Sequence, residues 1–436
     1  MKILIFVISI CSLLSANDID EAKKECSMGI SYECYNLGTY YHNGQGVKQD
    51  FSRAIKFFTK ACYGGMKLGC SDTGAMYYKG EGVKKDYKKA KEFYKKACNN
   101  GSSNGCHNLG LLYLKGEGVK KDYKKAKELF TKSCDDGLVL SCNNIGLMYE
   151  KGEGAEQNYA RAKDIFTKAC KAGNAASCLN LGFMYYKSLG VKQDFKKAKD
   201  LFTKACKGSS YIGCYNLGNV YLLGRGVKKD ISKAKYFLTE ACNNGIYDSC
   251  YNLAILYSSK KSIKKNYSTI IELYSKACAG GNNSACYNLG AIYLKGKLVN
   301  KDYLKAKEFF AKACDNDDVT ACHNLGLMYF KGKGVKQNFI KSKKLFSKAC
   351  KGGDFGSCHN LGLMYKFGIT VKKDYNKVQE LYTKACNGGK SKSCYQLGVI
   401  YKEGKFLKKD IVKAKKFFKK ACDSGNMRAC KELYLP

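Results

Sequence analysis

Twenty-four cysteines fall on one fixed grid. Along the chain Cys26 is followed by Cys34, Cys62 by Cys70, Cys98 by Cys106, Cys134 by Cys142, Cys170 by Cys178 and Cys206 by Cys214. The second half continues with Cys242 and Cys250, Cys278 and Cys286, Cys314 and Cys322, Cys350 and Cys358, Cys386 and Cys394, and Cys422 and Cys430. The two members of each couple are eight residues apart, the couples repeat after 36, and no insertion or deletion breaks the register. A period that covers nearly all of 436 residues displaces the several globular domains that such a length would otherwise suggest.

One unit, Cys98 to Cys134, reads CNNGSSNGCHNLGLLYLKGEGVKKDYKKAKELFTKSC, with apolar residues at helical rather than strand spacing. Two helices per unit are predicted. Helix A runs from about the second cysteine of a pair to a Gly-x-Gly turn, and helix B from an Asp or Asn to the next cysteine. The start of B is marked by Asp50, Asp86, Asp122, Asn158, Asp194, Asp230, Asn266, Asp302, Asn338, Asp374 and Asp410, each able to accept from the orphan N–H groups of a first turn. Glycines such as Gly44 with Gly46 and Gly80 with Gly82 supply the preceding turn. In helix A, Leu-Gly recurs at Leu37-Gly38, Leu109-Gly110, Leu181-Gly182, Leu217-Gly218, Leu289-Gly290, Leu325-Gly326 and Leu361-Gly362, with Tyr41, Tyr113 and Tyr185 three residues on. A mid-helix glycine costs up to ~1 kcal/mol against alanine, so its recurrence predicts a helix approaching over the missing Cβ. Helix B places Ala at 54, 90, 126, 162, 198, 234, 306 and 414, with Phe58, Tyr94, Phe130 or Phe166 four residues later, a small–large seam read as core.

The seven residues between paired cysteines are read as a linker that reverses the chain, which makes twelve local disulfides the natural pairing, Cys26 with Cys34 through Cys422 with Cys430. Each would close a short loop, for ~2.5 kcal/mol on the chain-entropy argument. Pairing cysteines 28 residues apart would instead connect the far end of one hairpin to another. No unit buries its apolar stripe alone, so the expected fold is an all-α solenoid of about twelve stacked αα-hairpins. The array is expected to open on a B helix near 18–27 and to end on an A helix near 427–435.

The first residues, MKILIFVISICSLLSAND, carry Lys2, an apolar run from Ile3 to Leu14 and the small residues Ser15 and Ala16. Residues 1–16 are read as a signal peptide cleaved near Ala16, and 17–436 as one solenoid, secreted or periplasmic. A lipoprotein reading would use Cys11, but the bulky Ile10 precedes it. No later segment approaches the ~20 apolar residues of a membrane span. The formal charge of +40 comes from lysine, since Arg53, Arg161, Arg225 and Arg428 are the only arginines. Lysine without arginine forks argues against specific nucleic-acid reading. It fits a solvated helical surface, or attraction to an acidic envelope or host polymer.

The pattern A-C-x7-C-x-N-L-G-x-x-Y-x-x-G-x-G-V-K-x-D-Y-x-K-A, carried by residues 26–430, resembles the Sel-one-like repeats, a tetratricopeptide-type helical pair of 36 residues. With Cys-x7-Cys in each unit and an exported start, the chain is similar to the Helicobacter cysteine-rich protein family. The resemblance implies a right-handed superhelix, secretion and one disulfide per repeat. It also implies penicillin binding and weak β-lactamase activity, a hydrolase reading that rests on the resemblance alone.

The residues give that chemistry little. A serine β-lactamase needs S-x-x-K with S-D-N-like and K-T-G-like partners. Ser232 to Lys235, Ser258 to Lys261 and Ser262 to Lys265 fit the first, as a lysine-rich chain allows by chance, and the partner motifs are missing. His42, His107, His323 and His359 are too dispersed to share a metal, and paired cysteines without further ligands do not form a zinc site, so neither metal nor cofactor is expected. Departures from the repeat are better places to seek function: 254–271, where Ala254 and Ile270 replace Gly and Ala; Lys187 to Gly190; and Lys297 to Asn300. The first of these could weaken the middle unit and bend the array. The favoured expectation is a binding scaffold that takes a protein or peptide on the concave face lined by A helices, with a β-lactam as the alternative ligand.

Overall fold

The computed structural model describes residues 16–258, 267–296, 299–404 and 407–433. Among these residues the chain forms 24 helices and no strand, numbered α1 to α24 in chain order. It divides into two compact units, 1–234 and 235–436, and the same αα-hairpin recurs inside each. Odd-numbered helices are B helices, such as α1 (Ala16–Ser27), α3 (Phe51–Tyr63), α5 (Tyr87–Asn99) and α9 (Tyr159–Lys171). Even-numbered helices are A helices, such as α2 (Ser31–Asn43), α4 (Lys67–Lys79), α6 (Ser103–Lys115) and α8 (Val139–Lys151).

The caps determine these boundaries. Asp50 Oδ1 accepts from the Arg53 N–H at 2.9 Å, and Asp122, Asp194 and Asp410 accept likewise from Lys125, Lys197 and Lys413. The cap is also tied backward: the N–H of Asp50, Asp86 and Asp122 donates to the carbonyl of Tyr41, Tyr77 and Tyr113. One residue therefore closes helix A and opens helix B. Asn266 lies outside the described residues.

At the other end of B the structure corrects the expected linker. Between Cys62 and Cys70, Tyr63 still belongs to α3 and Lys67 already belongs to α4, so only residues 64–66 turn. The chain reverses that quickly because Gly65 takes a left-handed φ of 89° and the Met66 N–H reaches back to the Ala61 carbonyl at 3.0 Å. Helix A accordingly starts three residues before the second cysteine, not at it: Ser31 precedes Cys34, Lys67 precedes Cys70 and Ser103 precedes Cys106. Ser102, Asn174, Asn282, Asp318 and Asp354 cap that start through their side chains.

The recurrent glycine of helix A has a specific neighbour. A Cβ on Gly38 would lie 2.4 Å from the ring of Phe58, and one on Gly146 would lie 2.4 Å from Phe166. Gly74, Gly110, Gly182, Gly290, Gly326, Gly362 and Gly398 meet Tyr94, Phe130, Phe202, Phe310, Phe346, Tyr382 and Phe418 in the same way. The approaching element is thus the B helix of the same hairpin, its aromatic ring seated on bare backbone. Between hairpins, Gly82 (φ 71°) in the turn lies against the first residue of the preceding B helix, where a Cβ would sit 2.4 Å from the Phe51 carbonyl carbon.

Part of the lysine charge is absorbed by this framework. Lys60, Lys348 and Lys384 donate to the carbonyls of Cys26, Cys314 and Cys350 at 2.6–2.9 Å, each neutralising the C-terminal end of the preceding B helix. In the first turn of B, Lys89, Lys125 and Lys197 lie 4.3–5.1 Å over the rings of Tyr77, Tyr113 and Tyr185.

Candidate functional site

The cysteines come together within each pair, at a sequence separation of eight. Sγ–Sγ bonds join Cys26 to Cys34, Cys62 to Cys70, Cys98 to Cys106, Cys134 to Cys142, Cys170 to Cys178 and Cys206 to Cys214. They likewise join Cys242 to Cys250, Cys278 to Cys286, Cys314 to Cys322, Cys350 to Cys358, Cys386 to Cys394 and Cys422 to Cys430. The Cα atoms of bonded cysteines are 4.4–5.0 Å apart, so the short turn alone brings the two side chains within reach. No bond joins cysteines 28 residues apart, because such residues stand at opposite junctions of a hairpin while each junction already holds both members of a pair. Each bond staples the end of a B helix to the start of the next A helix. Small residues beside them let the helices close: Ala61 faces Gly69, whose Cβ would lie 2.9 Å from that of Ala61.

The histidines are dispersed, as their sequence positions suggest, but three of them share one job. Nδ1 of His107, His323 and His359 lies 2.7–2.8 Å from Oγ of Ser141, Ser357 and Ser393, each 34 residues on, in the next A helix. At His107 the proton order is determined by the network. Ser141 donates to Ser133 and Ser133 donates to the Ser103 carbonyl, so the imidazole must donate from Nδ1. Asn143 replaces histidine where Ser177 follows. A serine beside a histidine invites a nucleophile–base reading, which the geometry refuses. Ser141, Ser357 and Ser393 have no solvent exposure, and at His323 both Ser357 and Asp354 occupy the same ring nitrogen, so no relay passes through the imidazole. Burial opposes ionisation of Asp354, yet hydrogen bonds from His323 and Ser357 outweigh it and hold the carboxyl down to about 2. His42 stands apart, against Asn43 and Glu81. Among the described residues no three His, Cys, Asp or Glu side chains form a group able to hold a metal.

The S-x-x-K matches gain no partners. Ser232 is exposed on the first turn of α13 (Ile231–Asn243), Lys233 pairs with Asp230, and Lys235 lies 4.2 Å over the Tyr257 ring. Ser258 donates to the Ile255 carbonyl, and the rest of the second and third matches lies at 259–266, outside the described residues, as does most of the departure expected to bend the array. Ala254 and Ile270 are buried. Ser188 takes the left-handed cap that glycine takes elsewhere (φ 62°), and Lys297 and Leu298 lie outside the described residues.

A ligand-sized surface exists on the A helices near the C-terminal end. A groove of about 640 Å³ crosses α20 (Phe355–Phe367), α22 (Ser391–Glu403) and α24 (Met427–Leu433). Its cations are Lys366, Lys392 and Arg428; its apolar surface comes from Leu363, Phe367, Tyr395 and Met427; and among the described residues no carboxylate lines it. Phe367 and Met427 are 60% and 72% exposed. Lys366 is half-buried, donates to Gln396 Oε1 at 2.8 Å, and has its ammonium pKa pushed down by burial. Burial, followed by the fields of Lys392 and Lys390, also pushes the His359 imidazole down. A second groove of about 700 Å³, beside Phe355 and Thr383, is lined by Glu380, which pairs with Lys377, and by Lys384, which caps the Cys350 carbonyl.

The Sel1 repeat model matches eleven times in an almost unbroken row: 34–66, 67–102, 103–138, 139–174, 175–210, 212–246, 248–282, 283–318, 319–354, 356–390 and 391–426. The chain belongs to the Sel1 repeat family. No curated protein matches it by sequence. Among solved structures, it is similar to c5321, a protective antigen of uropathogenic Escherichia coli with an SLR fold, at 28% identity and a TM-score of 0.62, covering 95% of this chain and 89% of that one. A Sel1 repeat protein from Oxalobacter formigenes shares the fold at 24% identity and a TM-score of 0.56, covering 71% and 90%. Sel1 repeat proteins are scaffolds for protein interactions, and the described helices include none long and apolar enough to cross a membrane.

Proposed function

We propose that this Sel1 repeat protein is an exported binding scaffold that engages a protein or peptide partner on the face its A helices present, within the Helicobacter cysteine-rich group. The open groove across α20, α22 and α24 carries the reading: it combines exposed apolar side chains with three cations and, among the described residues, no lining carboxylate. Export, with removal of residues 1–16 and residence in the periplasm or outside the cell, is supported by twelve disulfides, which persist in oxidising compartments. The test is photo-crosslinking in the native compartment, with benzoylphenylalanine at Phe367 or Thr39 on A helices and at Val412 on a B helix. Discrete adducts from the A positions and none from Val412 are expected; equal labelling of both would sink the proposal.

β-Lactam recognition is the second reading, because the same cations suit a small carboxylate. Turnover has no nucleophile among the residues described above. Incubation of the oxidised chain with benzylpenicillin, read by intact mass and by hydrolysis, should give neither adduct nor product. An adduct lost in Ser232→Ala would restore the hydrolase. Attraction to an acidic polymer through lysine alone should vanish at ~1 M salt.

A further inference from the structure

Resting on the scaffold reading, we propose that the α20–α22–α24 groove is a subsite for an acidic segment of a partner protein, taking a side-chain carboxylate beside an aromatic or large apolar residue. The repeat that follows the groove carries an acid where the groove carries an amide. Lys402 Nζ donates to Glu432 Oε2 at 2.8 Å, across 30 residues. Lys366 Nζ makes the same bond across the same 30 residues, also at 2.8 Å, but to the neutral Oε1 of Gln396. Gln396 and Glu432 are equivalent positions, 36 residues apart. Where the chain supplies its own carboxylate the lysine is bonded to an acid; where it supplies an amide the half-buried ammonium has a neutral acceptor and feels Glu403 only through its field, in a groove that Lys392 and Arg428 also line.

A half-buried ammonium whose hydrogen bond goes to a neutral acceptor has lost hydration that the field of Glu403 and the Phe367 ring 5.7 Å away offset less than burial costs it, so an incoming carboxylate recovers more here than on an open surface. The exposed ring and thioether of Phe367 and Met427 give such a ligand apolar contact on either side of that charge. Arg428 adds a planar fork, the one arginine of the chain placed in this groove, suited to bidentate carboxylate contact.

The neighbouring repeat also supplies the test variant. Gln396→Glu copies the Lys402–Glu432 arrangement, neutralises Lys366 from within, and leaves the fold's own geometry in place. The full oxidised chain, labelled with ¹³C at methionine methyls, is titrated with N-acetyl-Glu-Phe-Glu-amide and its isostere N-acetyl-Gln-Phe-Gln-amide. The acidic peptide should shift the Met427 methyl saturably, the glutamine peptide should bind at least tenfold more weakly, and Gln396→Glu should weaken the acidic peptide at least tenfold. Equal binding of the two peptides, an unaffected Gln396→Glu variant, or a silent Met427 overturns the subsite. So does polygalacturonate displacing the peptide at equal carboxylate concentration, which would assign the groove to an acidic polysaccharide. If the subsite fails while A-face crosslinks persist at Thr39, the scaffold reading survives; loss of both removes it.

Discussion

Replacing Gly146 by alanine tests whether the recurrent glycine of helix A exists to admit an aromatic ring. The new Cβ would lie 2.4, 2.7 and 2.9 Å from three carbons of Phe166, against a comfortable separation of about 3.5–4.0 Å. Phe166 is fully buried, so the ring cannot swing into solvent and the two helices must part by about 1 Å or the ring must leave its rotamer. Overpacking of that kind costs about 1–3 kcal/mol, while alanine returns up to about 1 kcal/mol of helix propensity. The net expectation is a local loss of about 1–2 kcal/mol. In a solenoid the loss should stay near α8 and α9, because each repeat contacts only its neighbours. Hydrogen exchange read by mass spectrometry should therefore show these two helices opening about 5–30 times more often. The double variant of Gly146→Ala with Phe166→Leu should lose less than the sum of the single changes. Unchanged or slower exchange in Gly146→Ala would refute the reasoning, since propensity would then be the whole effect.

Three further outcomes follow from single side chains. Among the described residues the Tyr382 hydroxyl is buried without a hydrogen-bond partner, at a position that Phe130, Phe166 and Phe346 fill elsewhere; Tyr382→Phe should stabilise its repeat by about 1 kcal/mol, and slower exchange in α21 (Tyr375–Asn387) is the readout. Burial lowers the His107 and His359 pKa values from the ordinary 6.5, so the unfolded chain binds protons first as pH falls. Stability near these residues is then full above about pH 6.5 and declines as pH drops from there through the folded pKa, whereas the repeat with Tyr287 at that position should show no such step in exchange between pH 7 and 5. Thr370 holds a φ of 59° where the equivalent residues include Gly46, Gly82 and Gly334; Thr370→Gly should gain about 0.5–1 kcal/mol in thermal unfolding, and a loss would mean the threonine side chain holds the turn.

The hairpin, its period and the start of helix B were legible because they rest on residues present in nearly every unit: the capping acid, the turn glycines, the Leu-Gly pair and the cysteines. Helix A starts three residues before the position expected from the second cysteine, for a physical reason. Its cap position carries Ser102, Asn174, Asn282, Asp318 and Asp354 in some units but Ile30, Met66 and Leu138 in others. In those units the turn is held by backbone bonds from the left-handed glycine, as at Gly65, which leave no side-chain signature. The histidine–serine pairs were readable in principle. Each links positions 34 residues apart, and the relation shows only when adjacent repeats are compared, because where the later position is glycine or alanine the earlier one is not histidine.

That comparison between neighbours, rather than between every unit and an average, is also what separates the groove from the rest of the surface. Lysine is everywhere in this chain, so its presence says nothing; its bonding partner does. Lys384 and Lys348 are committed to helix ends, Lys89 and Lys125 to tyrosine rings, and Lys402 to Glu432. Lys366 occupies the same relation as Lys402 with an amide where the acid stands one repeat later. A single Gln-for-Glu difference is invisible in composition and in any consensus of the repeat. Once the helices are stacked it decides whether a half-buried ammonium donates to an acid of its own chain or to an amide, which leaves more for a carboxylate from outside to recover.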